Sequence, residues 1–93
     1  MPRKTAVLEQ PQVSNLVREL RQLMALSQEQ FAARLGVAYS TINRWENGHM
    51  QPSPLALKQI KAVLNEMNHS PMAEVQERSQ KLLDKYFPEA EPS

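Results

Sequence analysis

The chain has 93 residues, 41% of them hydrophobic and 23% charged, with no cysteine and a formal net charge of +1. That length makes one small domain with a modest core, burying about 60–65% of the extended surface, and without cysteine neither disulfides nor thiolate chemistry can supplement it. No apolar run approaches the roughly 18–20 residues of a membrane span and the first residues lack the apolar stretch of a signal peptide, so a cytoplasmic location is expected.

Two glycines against seven prolines, with few aromatics, favour helices punctuated by prolines over a sheet. The charge is unevenly divided: residues 1–10 carry +1, residues 11–69 carry +2 and residues 70–93 carry −2. By itself this is a weak pointer to nucleic acid.

Residues 1–10 read as a flexible arm, with Pro2 and the basic pair Arg3 and Lys4 and no sustained period. A first helix starts either near Pro11, which suits a first turn, or near Ser14 as an N-cap. Val13, Leu16, Val17, Leu20 and Met24 recur at spacings of three and four, an amphipathic stripe. Ser27 followed by Gln30 makes a capping box for a second helix, with Phe31, Ala32 and Leu35 on one face and Gly36 as its left-handed stop. A third helix spans residues 39–47, with Ile42 and Trp45 inward and Asn47 and Gly48 ending it. Two short helices joined by a turn of three to four residues containing glycine match the helix-turn-helix pattern.

Residues 49–52 form a loop. Ser53 and Pro54 then restart helix in the order cap, proline, and Leu57, Ile60, Leu64 and Met67 give the stripe of helix four. Ser70 and Pro71 repeat the start signal, and Met72, Val75, Ser79, Leu82 and Tyr86 make a narrow seam on a fifth helix over residues 70–88. Residues 89–93 read as a frayed acidic tail. The expected fold is all-α: a compact five-helix domain, with a helix-turn-helix domain over residues 11–69 and an added C-terminal helix that either dimerises or covers the core.

On a wheel of about 100° per residue with Ile42 inward, Trp45 and Glu46 also fall inward, whereas Ser40, Asn43, Arg44 and Asn47 fall outward. An outward face of Ser, Asn and Arg with no acid offers donors to base edges and phosphates: Arg can read guanine bidentately and Asn can read adenine. Any polar helix has a solvated face, so this alone decides little.

The linked text Leu20-Arg21, Leu26-Ser27-Gln28-Glu29-Gln30-Phe31-Ala32, Leu35-Gly36-Val37, Ser40 to Gly48 and Pro52-Ser53 resembles the phage-repressor helix-turn-helix family of the Cro/cI or XRE type. The resemblance covers a little over half the chain and implies a lambda-repressor-like fold and sequence-specific binding of double-stranded DNA by a transcriptional regulator, most often a repressor. It implies phosphate contacts from Gln28, Asn47 and His49, and base reading from Ala38, Tyr39, Ser40, Asn43 and Arg44. The chain departs from the family pattern at Ala38, where Ser or Thr often caps the third helix, and Tyr39 is bulky for a first reading position.

With Val17 inward, Arg21 lies only about 40° from the centre of the apolar face of helix one, and Glu46 lies the same distance from Ile42 on helix three. Opposite charges on two apolar sides are costly unless they meet, and the resemblance also implies an ion pair there. A buried Arg21–Glu46 bridge is expected.

His49 and His69 have no acidic or cysteine companion at ligand spacing, and no nucleophile elbow or paired carboxylate accompanies the serines. No metal, cofactor or enzymatic activity is expected. Arg3 and Lys4 are a candidate minor-groove arm. Beside DNA, the expected partner is a second copy of the chain. Two other readings stand next to this one: an antitoxin-type autorepressor meeting a toxin through residues 70–93, and a protein-binding adaptor that keeps the fold without the DNA contact.

Overall fold

The computed structural model describes residues 12–88; the arm over residues 1–10, the start at Pro11 and the acidic tail over residues 89–93 lie outside them. Five helices follow in chain order, α1 (Gln12–Met24), α2 (Gln28–Leu35), α3 (Tyr39–Glu46), α4 (Pro54–Met67) and α5 (Ala73–Tyr86). The fold is all-α, with no strand among the described residues. Among these residues no helix is long and apolar enough to cross a membrane.

The first three helices end alike. A residue in the left-handed region follows each: Ala25 (φ 59), Gly36 (φ 74) and Gly48 (φ 76). The amide one residue further on closes back on the helix, from Leu26 to the Arg21 carbonyl, Val37 to Ala32 and His49 to Arg44, at 2.9–3.1 Å. These bonds satisfy the carbonyls that a helix end leaves open. Glycine does this at little cost at two of the ends, whereas Ala25 holds a conformation that its Cβ disfavours. Nothing in the local sequence signals the left-handed turn at Ala25.

Starts differ more. Ser27 Oγ accepts from the Gln30 amide at 3.1 Å and Gln30 Oε1 accepts from the Ser27 amide at 2.9 Å, completing the reciprocal cap of α2. Ser53 Oγ accepts from the Ala56 amide at 3.1 Å, with Pro54 in the first turn of α4. α3 begins after Ala38 with no side-chain cap.

Two expected starts are corrected. Ser14 does not cap α1: it lies inside the helix, buried, and its hydroxyl donates to the Trp45 carbonyl at 3.1 Å. Ser70 does not cap α5, which starts at Ala73. Its hydroxyl instead accepts from the Met72 amide at 3.1 Å, a local turn that delays the helix. Met72 therefore caps α5 without a side-chain bond and stands 61% exposed, outside the seam.

The core combines Val13, Leu16, Val17 and Leu20 of α1 with Phe31, Ile42, Trp45, Ile60 and Leu64, and with Leu82 and Tyr86 of α5. Each fully buried large side chain stabilises the fold by about 1.5–3 kcal/mol. Leu23, Val63, Leu83 and Phe87, not expected from the stripes, are buried too. α5 packs on α1 and α4, so its apolar face covers the core. Polar contacts pin it: Tyr86 Oη donates to Glu19 Oε2 at 2.8 Å, and Lys85 Nζ reaches the same oxygen at 3.3 Å. Arg34 of α2 pairs with Glu66 of α4.

Candidate nucleic-acid interface

α3 packs on α1 and α2, inserting Ile42 and Trp45, which are 0% and 2% exposed. The Trp45 indole nitrogen has no hydrogen-bond partner among the described residues. The opposite side of α3 is open: Tyr39 is 49% exposed, Ser40 and Arg44 are exposed, and Ala38, Asn47 and His49 are exposed at its two ends. Asn43 is half-buried. The only acidic residue of α3, Glu46, is buried on the inner side, so the open face carries a cation and no anion.

Glu46 is the hub that fixes α3 in place. Arg21 grips its carboxylate with two bonds, Nε to Oε2 at 2.7 Å and Nη2 to Oε1 at 3.1 Å. Such a fork sets orientation as well as proximity. Arg21 Nη1 also donates to the Leu26 carbonyl at 3.1 Å, tying the α1–α2 turn to the same cluster. The hydrogen bond to Glu46 raises the Arg21 guanidinium above its ordinary pKa, against the desolvation that lowers it. Arg18 Nη2 donates to the Glu46 main-chain carbonyl at 2.7 Å. Two cations thus sit at the negative end of the α3 dipole.

Gln28 stands at the start of α2 beside this hub. Its Nε2 donates to Glu46 Oε1 at 2.9 Å, and its Oε1 accepts from Asn43 Nδ2 at 3.3 Å. Asn47 Nδ2 donates to Asn43 Oδ1 at 3.0 Å. Of the residues singled out in the sequence, the structure therefore joins Arg21, Glu46, Gln28, Asn43 and Asn47 in one cluster. It leaves Ala38, Tyr39, Ser40, Arg44 and His49 around the open face, outside it.

Two side chains that hold the end of α3 escape sequence reasoning: Arg18, which joins the cluster, and Ser14, which bonds the neighbouring Trp45 carbonyl. Arg18 precedes Arg21 by three residues and so shares its side of α1; that spacing was the available signal. Ser14 carried none, because its acceptor lies 31 residues away.

A family model described as helix-turn-helix matches residues 17–68, more than half of the chain, taking in the end of α1 and all of α2, α3 and α4. Comparison with curated proteins and with solved structures gave no significant match.

Proposed function

Since the chain belongs to the helix-turn-helix family of the Cro/cI or XRE type, a family of DNA-binding transcription regulators, we propose that it binds a specific sequence in double-stranded DNA by laying α3 in the major groove, and represses transcription by occluding its operator. A major groove about 12 Å wide admits one α-helix. The observation that carries the reading is the open face of α3, which exposes Tyr39, Ser40 and Arg44 with no acid while the inner side of the helix is clamped by Glu46.

In this arrangement Arg44 reads guanine bidentately, Asn43 and Ser40 reach base edges, and Ala38 and Tyr39 present apolar surface to a thymine methyl. Gln28 at the start of α2, with Asn47 and His49 after α3, grips phosphates and sets the register. One helix of eight residues makes few base contacts, so two copies bind as a two-fold dimer on half-sites about 34–36 Å apart.

Selection of bound duplexes from a random pool, followed by affinity measured against salt, tests this. An enriched two-fold sequence is expected, with a log–log salt slope of roughly −5 to −9 for a dimer that neutralises about 6–10 phosphates. No enriched sequence together with a flat salt plot would overturn it in favour of the adaptor reading.

A further inference from the structure

The three amides beside Glu46 form a line with a direction. Gln28 donates to Glu46 at 2.9 Å, Asn43 donates to Gln28 at 3.3 Å and Asn47 donates to Asn43 at 3.0 Å. A free side-chain amide can flip, exchanging its donor and acceptor ends, but an ionised carboxylate only accepts. Gln28 must therefore turn its NH2 to Glu46, which leaves its oxygen toward Asn43. Asn43 must answer with its own NH2, which leaves its oxygen toward Asn47, and Asn47 must again answer with NH2. Flipping any one of the three sets like against like at a junction. Glu46 itself cannot turn away, because Arg21 holds both of its oxygens and it is 3% exposed.

We propose that Glu46 is a specificity-determining positioning residue: acting through Gln28, its charge sets the donor–acceptor polarity of Asn43, and so decides which orientation of an A·T pair Asn43 accepts. This rests on the reading of α3 as the major-groove helix. Beyond the line of bonds, Asn43 keeps one N–H and one oxygen lone pair, enough for one bidentate contact. Adenine offers N7 as acceptor and N6 as donor in the major groove, and reversing the pair changes the order in which the groove presents them. An amide free to flip would accommodate both orders. One held by Gln28 and Asn47 fits a single order.

The test compares Gln28→Met, which keeps side-chain length and cuts the line between Glu46 and Asn43, with Asn47→Ala, which removes the far end and leaves that link intact. The quantity measured is a ratio of affinities: the duplex selected from a random pool against the same duplex with one A·T pair reversed. That pair is the one whose effect disappears in Asn43→Ala. Loss of a phosphate contact lowers affinity for every sequence and cancels in the ratio. A bidentate contact supports a wild-type ratio of roughly 5–100. Gln28→Met is expected to bring the ratio close to that of Asn43→Ala, whereas Asn47→Ala is expected to weaken both duplexes and keep the ratio within about twofold of wild type. An unchanged ratio in Gln28→Met, or a loss in Asn47→Ala as large as in Gln28→Met, overturns the proposal.

Side-chain amide NMR of the DNA-free protein provides the second reading. One NH2 proton of Gln28 and one of Asn43 should be shifted downfield and slow to exchange, and the Asn43 proton should lose both properties in Gln28→Met. If the wild-type chain selects no sequence, the major-groove reading falls and takes the specificity role with it, while the amide spectrum still reports whether the line of bonds exists. A selective wild type with unshifted, rapidly exchanging amide protons overturns the proposal alone.

Discussion

Arg21 and Glu46 meet across the α1–α3 contact as a two-pronged pair, at 2.7 and 3.1 Å, yet their burial is unequal: the Glu46 side chain is 3% exposed and that of Arg21 is 21%. Removing one partner of a buried pair strands the other, so the inequality predicts unequal costs. Arg21→Met leaves a buried carboxylate with only Gln28 and the more distant Arg18, and should cost about 3 kcal/mol. Glu46→Gln leaves an arginine that can turn its head to water, and should cost about 1–2 kcal/mol. Urea denaturation of the two variants measures both. Equal losses would mean that the two groups are equally desolvated in solution.

Arg44 stands on the open face of α3, away from that pair. Arg44→Ala should weaken specific DNA binding by about 1–3 kcal/mol and relax preference at one base pair of each half-site. The measurement is affinity against a series of duplexes altered one base pair at a time. A uniform loss across the series would make Arg44 a phosphate contact.

Two alanines at helix ends hold stability in reserve. Ala38 has the extended backbone of an N-cap, φ −73 and ψ 151, and no side-chain oxygen to offer. Ala38→Ser should raise stability by about 1 kcal/mol by capping the α3 amides. Ala25 holds φ 59, so Ala25→Gly relieves strain of roughly 1–2 kcal/mol. About half of this gain is offset by the greater freedom of glycine in the unfolded chain. Thermal denaturation of both variants should show raised midpoints.

High pH should loosen α5. Burial raises the Tyr86 phenol above its ordinary value, and the bond to Glu19 raises it further. Hydrogen bonding to Glu19 raises Lys85 in the same way. The unfolded chain therefore loses these protons first. Stability is fully present below the ordinary phenol value of about 10 and falls as pH rises through the folded-state values. In Tyr86→Phe the fall above about pH 10 should be shallower, which denaturation midpoints between pH 8 and pH 11.5 would reveal. The same slope as the parent would remove Tyr86 from the effect.

What the sequence determined by itself is everything that depends on near neighbours. The Ser27–Gln30 box, the Ser53–Pro54 start, the left-handed stop at Gly36 and the apolar stripes of α1 and α4 each rest on residues within one or two turns, where helical geometry is the same in any protein. The order of five helices and the inward phase of Ile42 and Trp45 follow from the same periodicity, and the linked motifs carried the family. Tertiary structure decided what depends on residues far apart in the chain. Ser14 has the composition of a cap, but its hydroxyl is taken by a carbonyl 31 residues away. Ser70 and Pro71 have the order of a helix start, but a local turn through Met72 intervenes, and burial of Leu82, Leu83 and Tyr86 against α1 and α4 sets where α5 lies. Ala25 adopts a glycine-like conformation that its own side chain disfavours, because the amides of Ala25 and Leu26 close back on the Gln22 and Arg21 carbonyls and the Arg21 side chain donates to the Leu26 carbonyl, which together hold the turn. The wheel places Arg21, Glu46 and Asn43 each on a side of its own helix, but distances between helices are not written in a periodicity. The line of bonds from the Arg21-held Glu46 carboxylate through Gln28 and Asn43 to Asn47 exists only once α1, α2 and α3 have closed on each other.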